Sequence, residues 1–357
     1  MKKETTIRDI KSLTLVELSE QFRDQNLPAF RAKQVYQWLY RGAVSFEEMS
    51  DLPKNLRVTL AEKYYISVAN IEKKLVSDYD NTVKYLFSFP AGQCVESVVM
   101  HYHHGVSICI STQVGCKMGC TFCATGKSGF SRHLTASEMI AQIQAAQQDL
   151  DLRISNVVLM GMGEPLDNYE NVLRFLELVS SETGLHIGMR HISLSTCGVV
   201  NRIYDLAKHK FQLTLSVSLH APNDLIRSRI MPINHKWGVD QLLAACRHYA
   251  DATGRRISFE YAMMDGVNDS DACAVELAAR LRGTLSHVNL IPVNDVTGAG
   301  YRKSSPVRVE RFCKTLEKYG VTATVRRTLG ADINASCGQL RRRQKEEVAN
   351  VERSKFK

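Results

Sequence analysis

The segment GCKMGCTFC, from Gly115 to Cys123, places thiols at Cys116, Cys120 and Cys123, at intervals of four and three residues. Three thiolates are one short of the four that usually close a structural zinc site or an iron–sulfur cluster. The residues alone allow a cluster, a zinc site completed by a distant ligand, or unrelated core cysteines. Zinc ligand sets usually show a second closely spaced pair, and this chain has none. A cluster bound by three cysteines keeps one iron free of protein ligands. That iron can bind a small chelating molecule and pass it an electron, so the open position is read as a place for such a molecule. Gly115 and Gly119 suit a loop that wraps around inorganic sulfur.

Such a loop needs a scaffold, and the surrounding pattern supplies one. From about residue 106, short β-rich runs follow one another: VSICIST, SNVVLMGMG, HISLST, LTLSVSLH, RISFEYAM and HVNLIPVN. Helical patterns separate them, such as TASEMIAQIQAAQQDL, where Thr135 and Glu138 have the spacing of a capping box. This alternation predicts parallel strands joined by crossover helices, in an α/β fold. Six units in roughly 190 residues predict a curved sheet or a partial (β/α)6 barrel rather than a closed eight-fold one. The strands end in polar or small residues: Cys116 onward, Gly163-Glu164, Ser195, Ser218 with His220, Glu260 and Asn294. In parallel α/β barrels the site forms on the face where strands end, so these groups should converge.

Upstream, residues 1–92 read as a small, mainly helical accessory unit, followed by a catalytic core over 93–340 and a basic tail over 341–357. LTLVELSEQFRDQ and AFRAKQVYQWLYRG carry apolar residues at helical spacing. In the second, Arg31, Lys33 and Arg41 lie close to Tyr36, Trp38 and Tyr40. A basic face over a buried aromatic stripe and an RNA-touching surface both fit, since phosphates need cations and unpaired bases need aromatic platforms. NTVKYLFSFPAGQCVESVVMHYHHG reads as two strands joined by a turn at Pro90–Gly92.

The Cys-x3-Cys-x2-Cys spacing after the first barrel strand, with Phe122 before the last cysteine, resembles the radical S-adenosylmethionine (SAM) superfamily. There the cluster is [4Fe-4S], the open iron binds SAM, and one electron cleaves SAM to methionine and a 5′-deoxyadenosyl radical. Gly161–Pro165 (GMGEP) resembles the motif that contacts the SAM amino group. Gly163 would let backbone approach the ligand, and Glu164 offers a carboxylate to an ammonium. Further motifs spread along the chain, QFRDQNLPAFRAKQ, SLHAPN, RSRIMPIN, HVNLIPVN and CGQL, resemble the RlmN/Cfr family of RNA adenosine methyltransferases.

That resemblance implies roles for two further cysteines. Ring carbons 2 and 8 of adenine are poor nucleophiles and cannot simply attack a sulfonium methyl. In the family, one SAM methylates the cysteine matched here by Cys337. A second SAM provides the radical that removes hydrogen from that S-methyl group, so two SAM are used per turnover. The carbon radical adds to the base and links Cys337 to RNA, and Cys109 resolves the adduct through a transient disulfide. Glu96 matches an acid–base group close to the target base; read by itself, it is a surface strand carboxylate. SAM contacts carry over to Gly163, Glu164, Ser195, Ser218, Leu219, His220 and Asn294. Cys197 stands where serine is common and is a candidate extra thiol. Cys246, Cys273 and Cys313 fall in helical patterns as core or helix-face residues, and Cys94 has no assigned role.

The family divides into an RlmN type, acting on carbon 2, and a Cfr type, acting on carbon 8 and conferring ribosome-antibiotic resistance. GMGEP and TQVGC look more like the RlmN type, whose implied substrates are 23S ribosomal RNA and also transfer RNA. A different class, a non-catalytic zinc-dependent RNA-binding protein, would leave Cys109 and Cys337 without roles. The broad properties of the chain agree with an RNA enzyme. Its 357 residues allow one large domain with a small one attached, and a formal charge of +9 suits a polyanionic partner. Arg341 to Arg343 and the 31–41 helix are candidates for phosphate contacts. Ten cysteines, no apolar leader and no window of transmembrane length predict a reducing cytoplasm away from membranes; the resemblance further implies an external electron donor, and a monomer is expected.

Overall fold

The computed structural model describes residues 7–90, 92–293, 300–333 and 335. Asn294, Cys337 and the 341–357 tail lie outside the described residues.

Ten strands form one sheet whose spatial order follows the chain from edge to edge. They are β1 (Asn70–Val76), β2 (Val83–Phe89), β3 (Gln93–Tyr102), β4 (Gly105–Cys109), β5 (Asn156–Leu159), β6 (Ile192–Thr196), β7 (Thr214–Ser218), β8 (Ile257–Met263), β9 (Ser286–Pro292) and β10 (Ala323–Val325). From β4 to β10 every neighbouring pair is parallel. All six predicted parallel strands are present, and β10 adds a seventh. β1 to β4 pair as antiparallel hairpins, which extend the sheet past the β4 edge. The sheet therefore takes in residues 70–89, which the sequence analysis grouped with the helical unit. The physical reason is that β4 would otherwise present a row of unpaired backbone groups. The new edge, β1, is almost wholly exposed and carries Lys73 and Lys74, charges that discourage pairing with another chain.

Helices between the parallel strands cover the sheet. One of them, α4 (Ala136–Leu150), begins with the expected reciprocal cap between Thr135 and Glu138. Apolar side chains of the sheet and its helices merge into one large core.

The amino-terminal helices α1 (Leu15–Asp24), α2 (Ala29–Arg41) and α3 (Lys54–Lys63) enclose a second core, from Ile10 to Tyr64. This unit docks on the sheet's helices through polar contacts. Lys11 Nζ donates to Ser67 O and Gln144 Oε1 at 2.6 and 2.9 Å, and Gln144 Nε2 donates to Leu39 O at 2.8 Å. Arg174 pairs with Glu17 at 2.7 Å. On α2, Tyr36 is buried and Tyr40 packs against it, with ring centroids 4.6 Å apart. Tyr36 thus belongs to the unit's own core, and Trp38 and Tyr40 pack against that core. The aromatic that α2 does present is Phe30, 57% exposed, with the Arg31 guanidinium 4.7 Å above its ring.

Candidate active site

The three-thiol loop is fixed on both sides. Gln113–Gly115 pairs antiparallel with Phe130–His133, and Cys116 N–H donates to Gly129 O at 3.0 Å. Gly115 has φ +89°, and a Cβ there would fall 1.9 Å from Gly129 O, so only glycine allows this crossing. On the other side Thr121 N–H donates to Ile230 O at 3.0 Å, and its hydroxyl meets Tyr301 Oη at 2.7 Å. Burial and the neighbouring Cys123 push the Cys120 thiol far up; burial first, then Glu164 and Cys123, raise Cys116 to about 12. Among the described residues, no three His, Cys, Asp or Glu side chains gather closely enough to hold one metal ion. Thiols that are costly as bare anions fit a cationic iron–sulfur core held at three corners.

The ends of β5 to β8 bring in the predicted SAM-facing residues. Gly163 has φ +104°, and a Cβ there would lie 2.6 Å from the Gln113 side chain and 2.9 Å from its backbone nitrogen. Its freedom therefore serves, first of all, the passage of GMGEP against the cluster strand. Gln113 Oε1 accepts from Glu164 N–H at 2.9 Å. The Glu164 carboxylate is buried; it accepts from Leu166 N–H at 3.0 Å and from Cys197 N–H at 2.7 Å. Burial raises its pKa, while these donors favour the anion. The anion so held is suited to receive an ammonium.

His220 is buried with φ +55°, an unusual backbone state for a side chain of this size. Its Nδ1 accepts from Ala262 N–H at 2.9 Å, which leaves the proton on Nε2. Burial lowers its pKa to about 3, so the ring is neutral. Phe122 of the thiol loop stands edge-on to it, centroids 5.0 Å apart. Asn268 fastens this corner by donating to His220 O and Ala262 O at 2.7 and 2.6 Å. Ser195 and Ser218 lie half-buried near the ends of β6 and β7, and the Leu219 side chain belongs to the core. Cys197 is buried beside Glu164 and Cys120, with its thiol pushed well up by burial.

A second corner forms where β2, β3 and β4 meet. Glu96 is 1% exposed, so it is not a surface carboxylate, and its Oε2 lies 2.9 Å from Lys84 Nζ, which is equally buried. Cys109 ends β4 beside them. Burial raises its pKa, while Arg326, the Met160 N–H and Lys84 lower it. Arg326 follows β10 and also acts on Glu260, so it faces the site from the far edge of the barrel. Cys337 itself cannot be placed, but the chain leading to it can. Asp332 accepts from Ser77 Oγ at 2.7 Å and Asp78 N–H at 2.9 Å, and Gly330 N–H donates to Asp80 Oδ2 at 2.8 Å. These bonds tie residues 330–332 to the β1–β2 turn, a few residues before Lys84.

Sequence reasoning singled out neither Lys84, Arg326, Asn268 nor this tie. Lys84 left one signal, a lone cation inside the apolar run VKYLFSF. Replacing it by methionine is expected to cost about 3–5 kcal/mol, because the ammonium paired with the buried Glu96 is lost. Urea unfolding of Lys84→Met should show that loss, and Lys84→Met with Glu96→Gln should recover part of it. A single variant as stable as the parent would rule the pair out as a structural necessity.

Comparisons with known proteins agree with this geometry. Residues 110–278 match the model of the radical SAM superfamily, and residues 8–66 match that of the ribosomal RNA large subunit methyltransferase N-terminal domain. A protein of Alkaliphilus oremlandii named probable dual-specificity RNA methyltransferase RlmN is 53% identical over 94% of this chain and 98% of its own length. A protein of the same name from Clostridium novyi is 51% identical, with the same shares covered. The crystal structure of a radical SAM methyltransferase from Sphaerobacter thermophilus superposes with a TM-score of 0.89 at 45% identity, over 93% of this chain and 98% of that one.

Proposed function

This chain belongs to the RlmN family of radical SAM RNA methyltransferases, and we propose that it methylates carbon 2 of adenosine in 23S ribosomal RNA and in transfer RNA. As a radical SAM enzyme it uses a [4Fe-4S] cluster and SAM. Among the described residues, no helix is long and apolar enough to cross a membrane. We further propose a monomeric, cytoplasmic enzyme that takes its electron from an external donor, in which 1–92 contacts RNA and 93–340 carries the chemistry.

The observation that carries the reading is that β4 ends in Cys109, beside the buried Glu96–Lys84 pair, and the chain runs on from there into the three-thiol loop. Cys116, Cys120 and Cys123 hold the cluster, whose role is to supply the electron that splits SAM into methionine and a 5′-deoxyadenosyl radical. Glu164 receives the SAM ammonium, while Ser195, Ser218, Leu219, His220 and Asn294 line the rest of that subsite, with His220 offering Nε2–H. Cys337 would take its methyl group from a first SAM and lose one hydrogen atom of it to the radical derived from a second; its methylene carbon would then bond to the base, and the adduct would give one electron back to the cluster. Glu96, paired with Lys84, accepts the proton lost from the base. Cys109, as thiolate, would then attack the Cys337 sulfur; the carbon–sulfur bond breaks, the released carbon takes up a proton to become the methyl group, and a disulfide is left for an external reductant.

The test is anaerobic turnover with reconstituted protein, SAM, reductant and unmethylated 23S RNA, followed by mass spectrometry of the nucleosides. The expected product is 2-methyladenosine. Detection of 8-methyladenosine instead would move the chain to the carbon-8 reaction. Unmodified RNA in the presence of a full cluster would overturn the proposal.

A further inference from the structure

Arg227, in α7 (Asp224–Ile230), is completely buried, with none of its side chain exposed to solvent. Its donors reach only neutral acceptors. Nε donates to Leu219 O at 3.0 Å, Nη1 to Asn234 Oδ1 at 3.0 Å, and Nη2 to Cys197 O at 2.7 Å and Ser218 O at 3.0 Å. Three of these acceptors are main-chain carbonyls just beyond β6 and at the end of β7, on the same short stretches as the residues assigned to SAM. Among the described residues no carboxylate forms an ion pair with it; Asp224 acts on it from beyond Asn234, whose Nδ2 donates to Asp224 Oδ1 at 2.9 Å. Taking a guanidinium out of water costs several kcal/mol, which carbonyl dipoles offset only in part. A buried cation without an adjacent anion points to a negative charge supplied by something the site binds.

The surroundings say where that charge lies. Arg227 interacts electrostatically with Cys120 and Cys197, and Gly198 in the β6 end passes so close that a Cβ there would lie 3.4 Å from Nη2. Helix α7 also ends at Ile230, whose carbonyl accepts from Thr121 N–H in the thiol loop. The arginine therefore sits behind the loop, joined to it by its own helix. Three thiolates on a [4Fe-4S] core with charge 2+ leave a net negative charge, which grows on reduction.

We propose that Arg227 is the counter-charge of the cluster and the positioning residue of the SAM subsite: its charge faces the Cys120 side of the loop, while its fork holds the ends of β6 and β7 in register with it. The inference rests on the cluster and SAM reading above. Lysine at this position keeps the charge but cannot satisfy four acceptors that lie around a planar fork. Glutamine removes the charge.

The experiment uses the full chain, reconstituted anaerobically, as wild type, Arg227→Lys, Arg227→Gln and Asn234→Asp. Iron content and the thermal melt establish that each is folded and loaded. Cluster potential is read by EPR-monitored redox titration, and SAM affinity by titration of the loaded protein. Arg227→Lys should keep a near-wild-type potential while binding SAM about tenfold or more weakly. Arg227→Gln should shift the potential to more negative values, because the reduced cluster loses its compensating charge. Asn234→Asp sets a carboxylate against Nη1 and leaves the arginine in place, so it should shift the potential the same way even if the glutamine variant does not fold. Wild-type SAM affinity in Arg227→Lys would overturn the positioning role. An unchanged potential in Asn234→Asp would overturn the counter-charge role. Failure of the wild type to take up four irons would instead remove the cluster reading itself, a result distinct from both.

Discussion

Alanine at Cys116, Cys120 or Cys123 is expected to abolish cluster binding and methylation together, a loss far beyond the roughly 10–100-fold that removal of an outer-shell partner costs a metal site. In the proposed site each thiol would hold a separate corner, and three corners leave no spare. The one nearby candidate for substitution is Cys197, which lies against Cys120 and Glu164. It does not serve, because it stands beyond the end of β6 rather than on the thiol loop. Iron analysis and the visible absorption of anaerobically purified variants provide the measurement, with nucleoside analysis alongside. Any of the three variants that still methylated RNA would end the radical SAM reading for this chain. Replacing Cys197 by serine should, by contrast, leave the iron content unchanged.

The second large effect separates the two thiols outside the cluster. Cys337→Ala has no sulfur to carry the methyl group and should form neither methylated protein nor an RNA adduct. Cys109→Ala keeps that sulfur, so methyl transfer, radical addition and linkage to the base should all proceed. What it lacks is the thiolate that breaks the carbon–sulfur bond. The covalent protein–RNA species should therefore accumulate, visible as an RNase-sensitive shifted band from cells expressing Cys109→Ala and absent when Cys337 is also replaced. The position of Cys109 fits this role. It ends β4 beside Glu96, where burial raises its pKa and Arg326, the Met160 N–H and Lys84 offset that rise in part. The tie from Asp332 and Gly330 to the β1–β2 turn brings the chain that leads to Cys337 to the same side of the sheet. Normal release of methylated RNA by Cys109→Ala would exclude Cys109 as the resolving thiol, while the cluster assignment would stand.

The local chemistry of this protein was legible in its sequence because it depends on spacing along one segment. Cys116, Cys120 and Cys123 lie within eight residues, and GMGEP directly follows a strand. The repeated strand–helix rhythm needed only periodicity, and the motifs scattered from QFRDQNLPAFRAKQ to CGQL identified the family. Where the strands end was also readable, since apolar runs stop at polar residues whatever the packing around them.

Pairings between distant segments were decided by the tertiary structure alone. Glu96 reads as an ordinary strand carboxylate until β2 places Lys84 against it with water excluded, and burial turns two unremarkable residues into a coupled pair. Tyr36 and Tyr40 resemble a stacking platform until α2 turns them into its own core. Gly163 looks like a place for a ligand to approach, yet its first contact is Gln113. Arg227 stood within a motif without a role, because its meaning lies in three carbonyls from two other segments and in the absence of an adjacent carboxylate among the described residues. A one-dimensional pattern records which groups are available and how they alternate. Desolvation and charge compensation depend on what surrounds a group in three dimensions, and those surroundings exist only once the sheet has brought its strand ends together.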